Sequence, residues 1–333
     1  MLTKATVVGA GAMGLVTSQV LASNNVHVAL LARRQDAVDE MLTRREHRRY
    51  LPGMRLDDRI TPTTDPRGAL LSTELIISAI PCQYLDATWA PIAALVPAEA
   101  MVCSVTKGME VATLRRPLEI LRDHLPHNPL AVLSGPSIAP EIARCLPATV
   151  VVACEDTDVA ERIQIAMSTS WFRVYTNPDP LGVELAGAVK NVVALAAGIL
   201  DGLSAGDNAK AALLTRGLAE MTRLCVALGA QPETLFGLAG VGDLVTTCFS
   251  PVGRNRSAGE RVGAGVSAED VMRESSSVIE GIPTTRAVAQ IAREHGVEMP
   301  IIQAVHDVLF DQKPPLDAIT ELMNRPLRSE ERA

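Results

Sequence analysis

TKATVVGAGAMGLVTSQVLASNNVHVALLARR, residues 3–34, is the stretch whose reading decides the fold. Thr3–Val8 is a short run rich in β-branched residues, which favour a pleated strand. It runs into Gly9-Ala10-Gly11-Ala12-Met13-Gly14, whose glycines follow the G-x-G-x-x-G pattern. An apolar run from Leu15 to Asn24 predicts a helix, and Val26–Leu31 predicts a second strand. Strand, glycine turn, helix and strand within about thirty residues make a βαβ unit of the dinucleotide-binding kind. Gly9 permits the tight turn, Gly11 lets a pyrophosphate approach the backbone, and Gly14 lets helix and strand pack closely. The start of the helix presents N–H groups to the phosphates. Ala12 and Met13 are the loop residues expected to touch the cofactor.

The end of the second strand selects between nicotinamide cofactors. An acidic residue there would bind the ribose 2′-hydroxyl of NAD(H), whereas Arg33 and Arg34 suit a 2′-phosphate. NADP(H) is therefore favoured, and NAD(H) stays possible through Asp36.

Working outward, Leu75–Ile80, Met101–Thr106, Leu130–Leu133, Ala148–Ala153 and Phe172–Tyr175 read as further strands. Their C-terminal ends should line the cofactor crevice. That places Lys107 at the rim, followed by Ser134-Gly135-Pro136-Ser137 and a helix expected from Ala139. Arg44–Arg49, RREHRR, reads as a charged helix end, and a solvated face is its plainer explanation. Asn177-Pro178-Asp179-Pro180 breaks the pattern. The expected domains are 1–180, a doubly wound Rossmann α/β sheet, and 181–333, all helical.

The second half opens on GVELAGAVKNVVALAAGILDGLSAGDNAKAALLTRGLAEM, residues 182–221. Its first part is apolar all round, which marks a buried helix. It nonetheless carries Glu184, Lys190 and Asn191. A buried lysine loses hydration and needs a partner or a chemical task, so Lys190 is the candidate chemical centre. Glu184 is expected to partner Asn191, two turns away. Asp207 or Asn208 is expected to cap the next helix.

The 333 residues are 47% hydrophobic and 21% charged, which suits two globular domains. The net charge of −7 and 3% aromatic content argue against a nucleic-acid partner. Six cysteines and six histidines form no ligand-like spacing, so no metal is expected. No apolar run reaches the roughly 18 charge-free residues of a membrane span, and the N-terminus lacks a signal pattern. The cytoplasm is the expected compartment.

Thr106-Lys107-Gly108, Ser134 to Ala139, GAVKN, NAKAALLTRGLAEM, GDLVTTC and RNR, in this order, resemble the soluble NAD(P)-dependent glycerol-3-phosphate dehydrogenases nearly end to end. That family pairs a Rossmann domain with an all-helical domain and interconverts dihydroxyacetone phosphate and sn-glycerol 3-phosphate. The resemblance implies a small phosphorylated three-carbon substrate, a homodimer and a place in glycerophospholipid synthesis. It makes Lys190 the acid/base, with Lys107 and Asp243 beside it in the catalytic set. Gly135, Ser137, Asn191, Thr247, Gly253, Arg254 and Asn255 match substrate positions. Arg33, Arg34, Lys107, Ala139, Arg254 and Glu280 match cofactor positions. Asp243 is expected to orient Lys190 or a substrate hydroxyl. Met13 stands where the family has an aromatic residue, and Gly253 where it has a serine.

Two other readings carry distinct expectations. A β-hydroxyacid-type dehydrogenase would place an asparagine four residues after the lysine, where this chain has Ala194. A non-catalytic NADPH sensor would have lost Lys190 or Lys107. The two departures extend the substrate class to related phosphorylated or phosphonate three-carbon ketones.

Overall fold

β1 (Lys4–Val8) is the strand on which the first unit is built. The computed structural model describes residues 2–275, 278–327 and 329–330. β2 (His27–Leu31), β3 (Ile60–Thr63), β4 (Leu75–Ser78), β5 (Met101–Ser104), β6 (Leu130–Ser134), β7 (Ala148–Ala153) and β8 (Phe172–Asn177) complete one sheet in the order β3-β2-β1-β4-β5-β6-β7-β8. Strands β1 to β6 pair in parallel, β7 runs antiparallel to β6, and β8 is parallel to β7. The Rossmann expectation holds, with a reversal at β7 that the strand patterns did not announce.

The central strands read as continuous apolar runs because both faces of a parallel sheet are covered. Alternate residues feed two cores. Ala5, Val7, Leu75 and Ile77 join one cluster, while Val8, Ile76 and Val102 join the other. β3 escaped the sequence reading. It is four residues long and contains Pro62, which lacks an N–H and is tolerated because β3 is an edge strand.

By chain contacts the protein divides into Met1–Gly187 with Gly229–Asp243, and Ala188–Leu228 with Leu244–Ala333. No strand follows β8 among the described residues. The helix Pro180–Gly202 is long and apolar enough to cross a bilayer, but its apolar window is wholly buried, as in a core helix.

Two local expectations are corrected. The helix Asp207–Ala227 is capped by Gly206 at φ 86, not by Asp207 or Asn208. Of Arg44–Arg49 only Arg44 is helical, because the helix Gln35–Arg44 stops where Arg45 turns left-handed at φ 54. The Arg45 guanidinium then donates to the Ile60 carbonyl at 3.0 Å, which ties this turn to β3.

Candidate functional site

In the first unit the candidate residues gather at the C-terminal ends of the parallel strands. Gly9 leaves β1 at φ 109, and its N–H donates to the Leu31 carbonyl at 2.9 Å. A Cβ at Gly9 would lie 2.7 Å from the Ala79 carbonyl oxygen, and one at Gly14 would lie 1.8 Å from that of Gly9. Both glycines are obligatory for packing. Gly11 differs, since a Cβ there would meet nothing within 4 Å. It precedes the helix Ala12–Ser23, which has no side-chain cap. An open approach at an uncapped helix start fits the pyrophosphate of a dinucleotide. Ala12 and Met13 are half-buried in that first turn.

Arg33 and Arg34 are exposed just past β2. Arg34 donates to both carboxylate oxygens of Asp36. That hydrogen bonding holds the Asp36 carboxyl down at about 2. Asp36, left open for a ribose hydroxyl, is therefore engaged by its neighbour.

Lys107 follows β5 and meets three acceptors. Its ammonium donates to the Asp243 carboxylate at 2.7 Å, the Gly135 carbonyl at 3.0 Å and the Ser137 hydroxyl at 3.1 Å. Gly135 leaves β6 at φ 119, where a side chain would be strained. Its carbonyl also accepts from the Ser137 hydroxyl at 2.9 Å. Ala139 opens the single helical turn Ala139–Ile142 that follows. Asp243 ends a π-helical turn, Leu238–Gly242. Here a Cβ at Gly240 would lie 1.9 Å from the Leu235 carbonyl oxygen. Such turns recur at functional sites. The first unit's share of the Pro180–Gly202 helix packs beside this cluster. A Cβ at Gly187 would lie 3.0 Å from the Ser134 hydroxyl and 3.5 Å from Lys107 Cγ.

In the second unit Lys190 is buried and donates to the Thr247 hydroxyl. Next to it, Asn191 Oδ1 accepts from Asn255 Nδ2 at 2.9 Å, and Asn255 Oδ1 accepts from the Gly281 N–H at 2.9 Å. Gly253 precedes the helix Arg254–Gly263, and Glu280 precedes the helix Gly281–Glu294. Arg254 is exposed and donates to the Val278 carbonyl at 2.9 Å, which brings it to the segment leading to Glu280.

The expected pairing of Glu184 with Asn191 is not what forms. Glu184 accepts from the Arg116 guanidinium and from the Leu118 N–H at 2.8 Å. Burial pushes its carboxyl up to about 7, against the pull of Arg116. The Asp243 carboxylate also accepts from Lys107, a pair that the sequence reading did not foresee. Sequence reasoning also missed Asp201, which receives Lys210 and faces Arg256 Nε at 3.2 Å. Lys210 and Arg256 sit in motifs that were noticed, but no spacing announces their common partner.

Residues 4–160 match the family described as NAD-dependent glycerol-3-phosphate dehydrogenase N-terminus, and residues 179–320 match its C-terminus. The chain is 44% identical over 332 residues to a glycerol-3-phosphate dehydrogenase [NAD(P)+] of Thermobifida fusca, covering 99% of both chains. It is 45% identical to one of Chlorobium limicola, covering 97% of this chain and 98% of that one. Among solved structures, a glycerol-3-phosphate dehydrogenase from Coxiella burnetii is similar at TM-score 0.93 and 36% identity. That match covers 97% of this chain and 99% of the other.

Proposed function

The chain belongs to the NAD-dependent glycerol-3-phosphate dehydrogenase family, and we propose that it interconverts dihydroxyacetone phosphate and sn-glycerol 3-phosphate with Lys190 as proton donor and acceptor. The observation that carries this reading is a lysine buried in an apolar helix, where it donates to the Thr247 hydroxyl. A desolvated ammonium beside a ketone oxygen stabilises the charge that develops there and supplies its proton. In the reverse direction the amine takes the proton back.

Gly9, Gly11 and Gly14 would hold a nicotinamide dinucleotide, which when bound would supply or accept the hydride at the substrate C2. Arg33 and Arg34 favour the 2′-phosphate of NADP(H), because each is an exposed cation at the end of β2. Lys107 and Ser137 bind substrate oxygens, and Asp243 holds Lys107 in place. Arg254 binds the substrate phosphate by charge-assisted hydrogen bonds, and remote binding energy of this kind positions the reacting carbon. The cytoplasm, a homodimer and supply of glycerophospholipid synthesis belong to the same proposal and rest on likeness to the family.

Oxidation of NADPH on addition of dihydroxyacetone phosphate tests the whole reading. Turnover confined to a 3-oxo acid, or tight NADPH binding with no turnover, overturns it.

A further inference from the structure

Two helices of the second unit meet through paired glycines. Gly198 and Gly202 lie on Pro180–Gly202, and Gly259 and Gly263 lie on Arg254–Gly263. Each pair has the four-residue spacing that puts both members on one helix face. A Cβ at Gly198 would lie 1.9 Å from the Arg256 carbonyl oxygen, and one at Gly202 would lie 2.2 Å from that of Glu260. The reverse contacts are as close. A Cβ at Gly259 would lie 2.0 Å from the Leu195 carbonyl oxygen, and one at Gly263 would lie 2.4 Å from that of Ile199. Every obstacle is backbone of the facing helix. No side chain can swing aside to absorb an added methyl group.

The start of the second helix is braced on two sides. On the Lys190 side, Asn255 bonds Asn191 and the Gly281 N–H, and a Cβ at Gly281 would lie 2.9 Å from both the Asn191 carbonyl oxygen and Asn255 Oδ1. On the other side, Asp201 of the first helix faces Arg256 of the second. One helix therefore carries Lys190, and the other begins with Arg254. Their separation is set by backbone against backbone.

We propose that this reciprocal glycine contact fixes the distance between the proton donor and the phosphate anchor. On this reading Gly198, Gly202, Gly259 and Gly263 are positioning residues for the reaction. The inference rests on Lys190 and Arg254 having the roles proposed above. Its physical basis is the substrate. Few bonds separate the C2 carbonyl from the phosphate, so the two groups that hold them have little slack. Phosphate binding accelerates the reaction only while the lysine stays within reach of the carbonyl oxygen.

The test compares dihydroxyacetone phosphate with unphosphorylated dihydroxyacetone in the full-length enzyme. The readout is the ratio of the two kcat/KM values. Gly259→Ala is expected to lower kcat on the phosphorylated ketone by about 10²-fold, the scale of an ångström-sized misplacement. Activity on dihydroxyacetone, which does not use the anchor, falls far less, so the ratio collapses. Gly217→Ala is the packing control. Its Cβ would press on Val193 Cγ1 at 2.8 Å, on the same long helix but away from the crossing. It is expected to lower Tm and leave the ratio unchanged. A folded Gly259→Ala enzyme with the wild-type ratio overturns the proposal, as does an equal collapse in Gly217→Ala. If Gly259→Ala fails to fold, Gly202→Ala at the far end of the crossing decides by the same ratio. Arg254→Ala separates the two layers of inference. Loss of the ratio there with retention in Gly259→Ala rejects the glycine contact alone. Retention in Arg254→Ala rejects the anchor and the inference built on it.

Discussion

The Lys107 ammonium lies 2.7 Å from the Asp243 carboxylate, although 136 residues separate them in the chain. A lysine ammonium has three N–H donors, and Asp243, Gly135 and Ser137 supply an acceptor for each. Its direction is thereby fixed. On the proposed reading a substrate oxygen reaches Lys107 by replacing the Ser137 hydroxyl, which can rotate away while the backbone carbonyl and the ion pair stay.

Asp243→Asn leaves the Lys107 charge without its counter-ion in a site where the carboxylate is buried. Breaking such a pair costs roughly 3 kcal/mol of stability. Tm falls, and kcat/KM falls with it because Lys107 is no longer held. Ser137→Ala removes a neutral acceptor and should raise KM with little change in Tm. Equal Tm losses in the two variants would show that Asp243 does not carry the electrostatic load assigned to it.

Lys190→Ala should lower kcat by about 10²-fold to 10⁴-fold, the usual contribution of a positioned proton donor. Lys190→Met keeps most of the side-chain volume and serves as the packing control. Both variants should keep the wild-type circular dichroism spectrum. Near-normal turnover in either variant removes Lys190 from the chemistry.

The legible and illegible parts of this chain divide by range. β1, the glycine turn and β2 could be read because strand period, glycine spacing and apolar helix are all local signals. β3 could not, since Pro62 contradicts a strand unless the sheet edge is already known. The helix from Ala139 could be expected from the turn before it, although the single turn Ala139–Ile142 is too short to show a helical period. Lys190 was visible because a charge inside an apolar helix is anomalous within its own neighbourhood. Its partner Thr247, the Lys107–Asp243 pair and the Glu184–Arg116 pair were not. Those choices depend on how distant segments meet, which no spacing encodes. The glycine pairs at 198/202 and 259/263 are an intermediate case. Each pair is visible in the sequence, and their meeting is visible only in the fold.

Arg254→Ala should mainly raise KM for the phosphorylated substrate. A charge-assisted hydrogen bond contributes about 2 kcal/mol, which corresponds to a KM rise of about 30-fold. The fold should tolerate the change, because Arg254 is exposed and its Val278 bond is peripheral. An unchanged KM would remove Arg254 from the phosphate site.

Reversing charge at the end of β2 should separate the two cofactors. Arg33→Glu and Arg34→Glu each place a carboxylate where a 2′-phosphate is expected, and the second also frees Asp36 from its partner. Binding of NADPH should weaken more than binding of NADH in titrations at fixed ionic strength. Equal losses for both cofactors would reject the 2′-phosphate reading of these arginines.

Glu220 gives the stability a pH dependence with a definite sign. Its carboxylate accepts from the Ile301 N–H at 2.8 Å and the Ile302 N–H at 3.2 Å, at the start of the helix Pro300–Phe310. No side chain at Met299 caps that helix, so the cap comes from Asp207–Ala227. Burial nevertheless pushes Glu220 up to about 7, from 4.5 for an ordinary glutamate, and outweighs the two N–H groups. Between these values the folded protein retains a proton that the unfolded chain has released. Folding then binds protons, and stability falls as pH rises through that window. Below about 4.5 both states are protonated and above about 7 both are ionised, so the contribution is flat outside it. Glu220→Gln cannot titrate and has a single side-chain acceptor for two N–H groups. The Tm advantage of wild type over this variant should be largest near pH 4.5, shrink up to pH 7 and then level off. An advantage that grows with pH would mean that the two helix N–H groups outweigh burial, with the Glu220 carboxyl held low instead of high.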